Sequence, residues 1–239
     1  MSESAKDDSP LVHQILFTLS PNAGAMPVNC QKIMRTVGEN RYRLWTLDSA
    51  REYLVNDLDS LVVEAFDRLK PFAYKADLFR YWIILKQGGF YLDLSVNDVK
   101  LPDVGEWDFI GFRDLNNEFS SWKVANNFFF ARAGSAILDD CLRQIVENCD
   151  REFYGRDPHF PTGPSVLGRS VAKLAPDLDV LIGQYWWFRR RRNRYVLPGY
   201  GLVGRGKVGG HRKGGVSGVI GGNNYNEFWR ARDVYQGFS

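Results

Sequence analysis

Two short stretches of the sequence carry residue types that could do chemistry. KADLFRY (75–81) places Asp77 three positions before Arg80, and GGFYLDLSVND (88–98) ends an apolar run at Asp93. A carboxylate and a guanidinium at that spacing share one helix face, where they either pair with each other or contact a ligand hydroxyl and phosphate. An Asp-x-Asp after such a strand would indicate a metal and diphosphate site, but Ser95 stands at the second position.

Alternating apolar and amphipathic runs predict the elements that position these residues. We expect strands at 11–20, 41–47, 90–94, 107–112 and 126–132, and helices at 28–38, 58–70, 71–87, 135–149 and 162–175. The strand runs are apolar throughout, which favours a mostly parallel α/β sheet with helices on both faces. In such sheets ligands bind at the carboxyl ends of the strands, so Asp93 is expected in the crevice.

Length and composition predict one domain. Of 239 residues, 44% are hydrophobic, which is enough for a sizeable core. We expect a disordered leader at 1–10, a polar stretch unlike a signal peptide, and a single domain at 11–239. The three cysteines have no CxxC spacing, which is typical of a reducing compartment, and no apolar run is as long as a membrane span. We therefore expect a cytoplasmic protein.

Positive charge is concentrated near the C-terminus. Residues 184–239 contain nine Arg, two Lys and only two acids, although the whole chain carries +3. Half of the glycines also lie there. This segment is interpreted as a phosphate-gripping lid, a polyanion-binding arm or a solvated loop. WWFRRRRNR (186–194) within it is a solvated charge run or a patch for anionic lipid or glycan, so peripheral membrane contact through Arg189–Arg194 is one expectation.

The central stretch, KADLFRYWIILKQGGFYLDLSV (75–96), resembles the signature of the glycosyltransferases with a DxD motif, in particular family 32. That family includes fungal α-mannosyltransferases and bacterial sugar transferases of polysaccharide biosynthesis. The matching positions are Lys75, Asp77, Arg80, Tyr81, Gly88, Gly89, Tyr91, Asp93 and Ser95. VHQILF, RYRLWTLDSAREYL, NNFFFARAGSAIL and TGPSVL resemble flanking segments of the family.

The resemblance implies a GT-A fold and transfer of a sugar from a UDP- or GDP-sugar to an acceptor hydroxyl on a glycan or lipid, usually with retention. Asp77, Arg80 and Asp93 would be catalytic. The donor would contact these three together with Tyr81, Gly89, Asn127, Arg212 and Lys213, and Asn126 would lie nearby. A divalent ion, Mn²⁺ or Mg²⁺, would be held by Asp93, Ser95 and His211.

Two other functions remain open from the sequence. The loss of the second carboxylate at Ser95 fits a catalytically inactive sugar-nucleotide or glycan-binding module. The basic C-terminal segment fits a polyanion-binding protein, although no nucleic-acid motif accompanies the charge and no nucleic-acid partner is expected. Asp98 is a weaker candidate for a substitute carboxylate, and His159 is a candidate for the border of the acceptor pocket.

Overall fold

A computed structural model describes residues 9–18, 26–57, 59–115, 120–188, 192–208 and 223–237. The described residues form one eight-stranded sheet with helices around it. The strands are β1 (Val12–Leu16), β2 (Tyr42–Thr46), β3 (Gly89–Leu92), β4 (Phe109–Asp114), β5 (Val124–Ala131), β6 (Val180–Trp186), β7 (Arg192–Leu197) and β8 (Gly201–Val208). The helices are α1 (Val28–Val37), α2 (Leu47–Asn56), α3 (Ser60–Arg68), α4 (Phe72–Gln87), α5 (Ala136–Asp150), α6 (Pro164–Leu174) and α7 (Tyr225–Arg230).

The sheet is mixed, so the prediction of a mostly parallel sheet is wrong. Its strand order is β2-β1-β3-β5-β4-β6-β7-β8. Only the β1–β2, β1–β3 and β4–β6 pairs are parallel, while the other four pairs are antiparallel. An apolar strand run indicates that both faces of the strand are buried, and this does not distinguish parallel from antiparallel pairing. The central strand β5 is antiparallel to both of its neighbours and is also buried on both faces. Strands β6 to β8 were not predicted, because the glycines and arginines there hide the alternation.

Helix boundaries follow the local signals of the sequence. Helix α4 begins after Pro71 and ends at Gly88, whose φ of 67° is readily adopted only by glycine. The next residue, Gly89, has φ 107°, and a Cβ there would lie 2.4 Å from the Leu11 carbonyl oxygen. The double glycine therefore lets α4 turn directly into β3 beside β1. This turn brings Asp77, Arg80 and Asp93 to one end of the sheet.

Two hydrophobic clusters pack on the sheet, one around α4 and α5 and one around Phe90, Phe112 and Phe128. Helix α7 packs back on the domain. Its Trp229 indole donates a 2.8 Å hydrogen bond to the Tyr154 carbonyl, and Tyr225 lies 5.9 Å from Tyr74 between ring centroids. No helix in the described part of the chain is both long and apolar enough to cross a bilayer.

Candidate active site

A cavity of about 430 Å³ opens at the carboxyl ends of β3, β4 and β6. Asp77, Arg80, Asp93, Ser95, Asn126 and Asn127 all line it, so the structure brings together most of the predicted site residues. The position of Asp93 agrees with the expectation from its strand-end location. The remaining polar and aromatic lining comes from Tyr74, Asp114, His159, Tyr185, Trp187, Asn193 and Tyr225.

Asp77 lies in a buried polar network. One carboxylate oxygen accepts a 2.8 Å hydrogen bond from the Asn126 amide, and the other accepts one of 2.8 Å from the Thr162 hydroxyl. The guanidinium of Arg80 lies 3.1 Å from the first oxygen. Burial raises the pKa of Asp77, and the Arg80 charge and the two hydrogen bonds counter part of that rise. Asp77 and Arg80 therefore pair, as one interpretation of their spacing predicts, but in the cavity wall.

Arg80 is held in place from several sides. Its guanidinium donates a 2.6 Å hydrogen bond to the Asn126 carbonyl and a 3.1 Å bond to the Ala76 carbonyl. It also stacks 4.4 Å from the ring centroid of Tyr91. A cation fixed in this way at a cavity wall is preorganised to face a negatively charged ligand.

Asp93 and Ser95 form a tight turn directly after β3. The Ser95 amide donates a 2.9 Å hydrogen bond to one Asp93 carboxylate oxygen, and the Asp93 amide donates to the Asn127 carbonyl at 2.8 Å. This turn places the Asp93 carboxylate and Ser95 side by side at the cavity wall. The second carboxylate oxygen of Asp93 accepts no hydrogen bond from the described residues. It is therefore available to bind a ligand or a cation.

The oxygen ligands available for a metal ion are few. Within the described ranges, no group of three His, Cys, Asp or Glu side chains is close enough to hold a metal. Asp93 and Ser95 would supply one carboxylate and one neutral oxygen, and hard divalent ions prefer such oxygen ligands. His211, Arg212 and Lys213 lie outside the described residues, together with the rest of 209–222 in the predicted lid. This partial ligand set fits an ion that also takes oxygens from a diphosphate.

Two predicted residues are not in the cavity wall. Tyr81 lies behind it, where its hydroxyl receives a 3.1 Å hydrogen bond from Asn126. Gly89 acts in the turn before β3 and is not among the lining residues. Asp98, the weaker candidate for a substitute carboxylate, is paired with Lys32 at 2.5 Å and Arg192 at 2.7 Å, outside the cavity wall.

His159 borders the cavity, as expected from its loop. The loop is anchored by an ion pair of 2.7 Å between Asp157 and Lys123, whose side chain is fully buried. Burial and the nearby Lys123 charge lower the pKa of His159, so it is neutral at physiological pH. A neutral imidazole there can donate or accept a hydrogen bond at the cavity edge.

Sequence reasoning missed several lining residues. Asp114 ends β4 as Asp93 follows β3, and the same strand-end signal in WDFIGFRD could have identified it. Trp187 and Asn193 belong to WWFRRRRNR (186–194), which is interpreted from sequence as a charge run or a patch for anionic lipid or glycan, and Tyr185 directly precedes it. The Asn193 amide donates a 2.7 Å hydrogen bond to the Tyr185 hydroxyl, so the β6–β7 hairpin forms part of the cavity wall.

Comparison with known proteins shows what the stretch that carries this site is similar to. Residues 27–104 match the model of the glycosyltransferase sugar-binding region containing the DXD motif. That range includes Asp77, Arg80, Asp93 and Ser95. The resemblance to the DXD-motif glycosyltransferases of the family 32 type, which the sequence predicts, is confirmed.

Two curated relatives share this resemblance. Inositol phosphoceramide mannosyltransferase 3 of Schizosaccharomyces pombe is 40% identical over 149 residues, 58% of this chain and 38% of that protein. An uncharacterized glycosyltransferase of Acanthamoeba polyphaga mimivirus is 34% identical over 100 residues, 42% of this chain and 36% of that protein. The chain thus spans well under half the length of both relatives.

Two solved structures give weaker matches. PaToxG glycosyltransferase has a TM-score of 0.49 at 12% identity and covers 70% of this chain and 71% of its own. The UDP-bound glycosyltransferase domain from the YGT toxin has a TM-score of 0.42 at 10% identity, covering 63% and 54% of the two chains.

Proposed function

We propose that this chain is a glycosyltransferase of the GT-A type, which moves a sugar from a UDP- or GDP-sugar to an acceptor hydroxyl on a glycan or lipid. The observation that carries the proposal is the convergence of Asp77, Arg80 and Asp93 on one cavity at the carboxyl ends of the strands. The similarity of the same stretch to a DXD-containing sugar-binding region supports it. The name of the fission-yeast relative favours mannose as the sugar to test first.

A slot beside the main cavity fits the nucleoside part of the donor. It holds about 210 Å³ and shares Ala73, Arg80 and Asp93 with the main cavity. Rings of Phe17, Phe72 and Tyr91 also line it. A flat base packs well against such apolar walls. We place the base there, the diphosphate between Arg80 and Asp93, and the sugar toward Asn126 and Asn127.

The divalent ion, Mn²⁺ or Mg²⁺, would be held by Asp93 and Ser95 together with the donor diphosphate, and it would neutralise charge on the leaving group. His211, Arg212 and Lys213 are proposed to close over the same diphosphate. Arg80, held beside Tyr91, would contribute fixed positive charge to the leaving phosphate without reorganising.

We propose transfer with retention of configuration. The bond from the anomeric carbon to the β-phosphate oxygen breaks while the acceptor oxygen bonds to the same face of that carbon. The acceptor proton passes to the leaving phosphate oxygen. This step requires no protein nucleophile, which suits a site where both Asp77 oxygens already accept hydrogen bonds and one Asp93 oxygen accepts the Ser95 amide.

The sparse, buried cysteines support a cytoplasmic setting.

A thermal-shift screen of UDP- and GDP-sugars, with and without Mn²⁺, tests donor binding, because a ligand that binds only the folded state raises the melting temperature. We expect one nucleotide class to raise it more with Mn²⁺ than without. Release of nucleoside diphosphate from that donor over time then separates an enzyme from an inactive binding module. A donor that binds without any turnover, in the presence of diverse acceptors, would favour the inactive module.

A further inference from the structure

The outward-facing side of β4 and β6 to β8 carries aromatic and basic side chains that the proposed chemistry does not use. Arg113 of β4 pairs in register with Gln184 of β6, two residues before Trp186. Trp186 pairs with Arg194 of β7, and Arg194 pairs with Arg205 of β8. Side chains alternate along a strand, so these residues share one face. We call the set Arg113, Trp186, Phe188, Arg192, Arg194 and Arg205 the outer face.

Aromatic rings and guanidinium groups are interleaved on the outer face. The rings of Trp186 and Phe188 are stacked at 6.5 Å, and the Arg194 guanidinium lies 5.6 Å from the Phe188 ring centroid. Trp186 is 41% exposed, and Leu202 of β8, which pairs with Val196 of β7, is 37% exposed. Large apolar side chains thus stand in solvent next to fixed positive charges.

The charge of this surface is not balanced locally. No Asp or Glu occurs from residue 180 to residue 226, whereas seven Arg and two Lys do. Among the residues that the structure describes, Asp98 alone forms an ion pair with the outer face, through Arg192, and it is shared with Lys32. The lowered pKa of Asp98, due mainly to its hydrogen bond from Lys32, keeps it ionised, yet the surrounding charge remains positive.

We propose that the outer face docks on the surface of an anionic lipid bilayer. Arginines near such a surface gain from its negative potential, and indole rings settle at the boundary between headgroups and acyl chains. Trp186 and Leu202 supply the apolar part, and Arg113, Arg194 and Arg205 supply the charge. A soluble anionic glycan or a nucleic acid would use the same cations but would gain nothing comparable from the exposed Leu202.

This docking surface shares its strands with the proposed active site. Trp187, next to Trp186 on the chain, lines the cavity and is itself 43% exposed. Because side chains alternate along a strand, the cavity-lining Tyr185 and Asn193 face the other side of the hairpin, and docking through the outer face would leave the cavity uncovered while holding it near the bilayer, where the headgroup of a lipid acceptor is presented. This last step rests on the proposed glycosyltransferase function, whereas docking itself does not.

Flotation with vesicles of phosphatidylcholine alone, or with 30% phosphatidylserine, tests the docking at several salt concentrations, without donor or metal. We expect the protein to bind the anionic vesicles selectively. Arg194→Gln combined with Arg205→Gln should weaken binding about thirty-fold at low salt, since each cation contributes about 1 kcal/mol. Trp186→Ala should remove the part of the binding that survives at high salt.

The matched control combines Arg143→Gln on α5 with Arg151→Gln directly after α5. Both arginines are exposed, so the control removes the same charge as the outer-face pair, but at a different place on the surface. If this control weakens binding as much as the outer-face pair, net charge alone is responsible and the proposal is overturned. Equal binding to neutral vesicles would overturn it too, as would tight binding of single-stranded RNA through the same arginines without vesicle binding. Donor binding in the same variants is measured separately, so failure of docking and failure of the proposed function are distinguishable.

Discussion

Asp77 illustrates how one residue can serve both the fold and the site. It pairs with Arg80 in a setting where both side chains are almost completely buried. Removing one partner of such a pair leaves an uncompensated buried charge, which costs about 3–5 kcal/mol. We expect Asp77→Asn to lower the free energy of unfolding in urea by that amount and to weaken donor binding in the protein that remains folded.

The control for Asp77 is Asp139→Asn, which breaks the exposed pair of Asp139 with Arg143 on α5. Exposed pairs of this kind contribute under about 1 kcal/mol, and Asp139 does not line the cavity. Equal stability losses in the two variants, with donor affinity unchanged in both, would show that Asp77 has only an ordinary structural role.

Ser95 is expected to weaken metal binding without removing it. A hydroxyl supplies a neutral oxygen, whereas affinity for hard cations depends largely on ligand charge. We expect Ser95→Asp to bind Mn²⁺ more tightly than the wild type in calorimetric titrations with UDP or GDP present, and to reach half-maximal activity at lower Mn²⁺. Ser95→Asn, which adds bulk without charge, is the control. Full wild-type activity in excess chelator would contradict the metal assignment.

At the scale of elements, the turn from α4 to β3 decides where Asp93 lies. Gly89→Ala would put a Cβ 2.4 Å from the Leu11 carbonyl oxygen at a φ of 107°. We expect it to lower the free energy of unfolding by more than about 3 kcal/mol, because strain and steric overlap combine. Chemical denaturation of purified protein measures this.

Gly134→Ala separates the two causes. Gly134 also has a positive φ, of 77°, but no heavy atom lies within 4 Å of the position of its added Cβ. It should therefore lose only about 1 kcal/mol from backbone strain. A loss at Gly89 no larger than the loss at Gly134 would mean that β1 and β3 are not as tightly apposed as described.

Most elements that carry the predicted site could be predicted from the sequence, whereas strands β6 to β8 could not. The run from Pro71 to Gly88–Gly89 has a clear start and stop, so α4, β3 and the position of Asp93 follow from local signals. The register of β5 against β3 and β4 is a long-range property that no local pattern encodes. Asn126 and Thr162 therefore gave no sign that they would hydrogen-bond to Asp77.

At the scale of the whole molecule, a buried histidine makes stability depend on pH. His13 is fully buried and accepts a 3.1 Å hydrogen bond from the Trp45 indole. Burial lowers the pKa of His13 from 6.5 to about 4. As the pH falls below 6.5, His13 binds a proton in the unfolded chain but not in the folded chain. The free energy of unfolding therefore decreases as the pH falls from 6.5 to about 4.

We expect this single group to remove about 3 kcal/mol between pH 7 and pH 4. Other groups titrate in the same range, including His159, so the free energy of unfolding is compared in wild type and His13→Gln. The glutamine variant, which cannot take up this proton, should lose about 3 kcal/mol less over the interval. Parallel pH curves for the two proteins would show that His13 does not resist protonation.

The central claim, that Asp93 serves nucleotide-sugar chemistry in this cavity, is tested most directly by Asp93→Asn. The asparagine oxygen can still accept the Ser95 amide, so the free energy of unfolding should change by less than about 1 kcal/mol. Asp103→Asn is the matched control, because Asp103 accepts the Gly105 amide in a similar turn outside the cavity. The measurement is the rate of nucleoside diphosphate release from the donor with Mn²⁺. The account predicts a fall of about a hundredfold or more in Asp93→Asn and none in Asp103→Asn. Release at close to the wild-type rate by folded Asp93→Asn would contradict it.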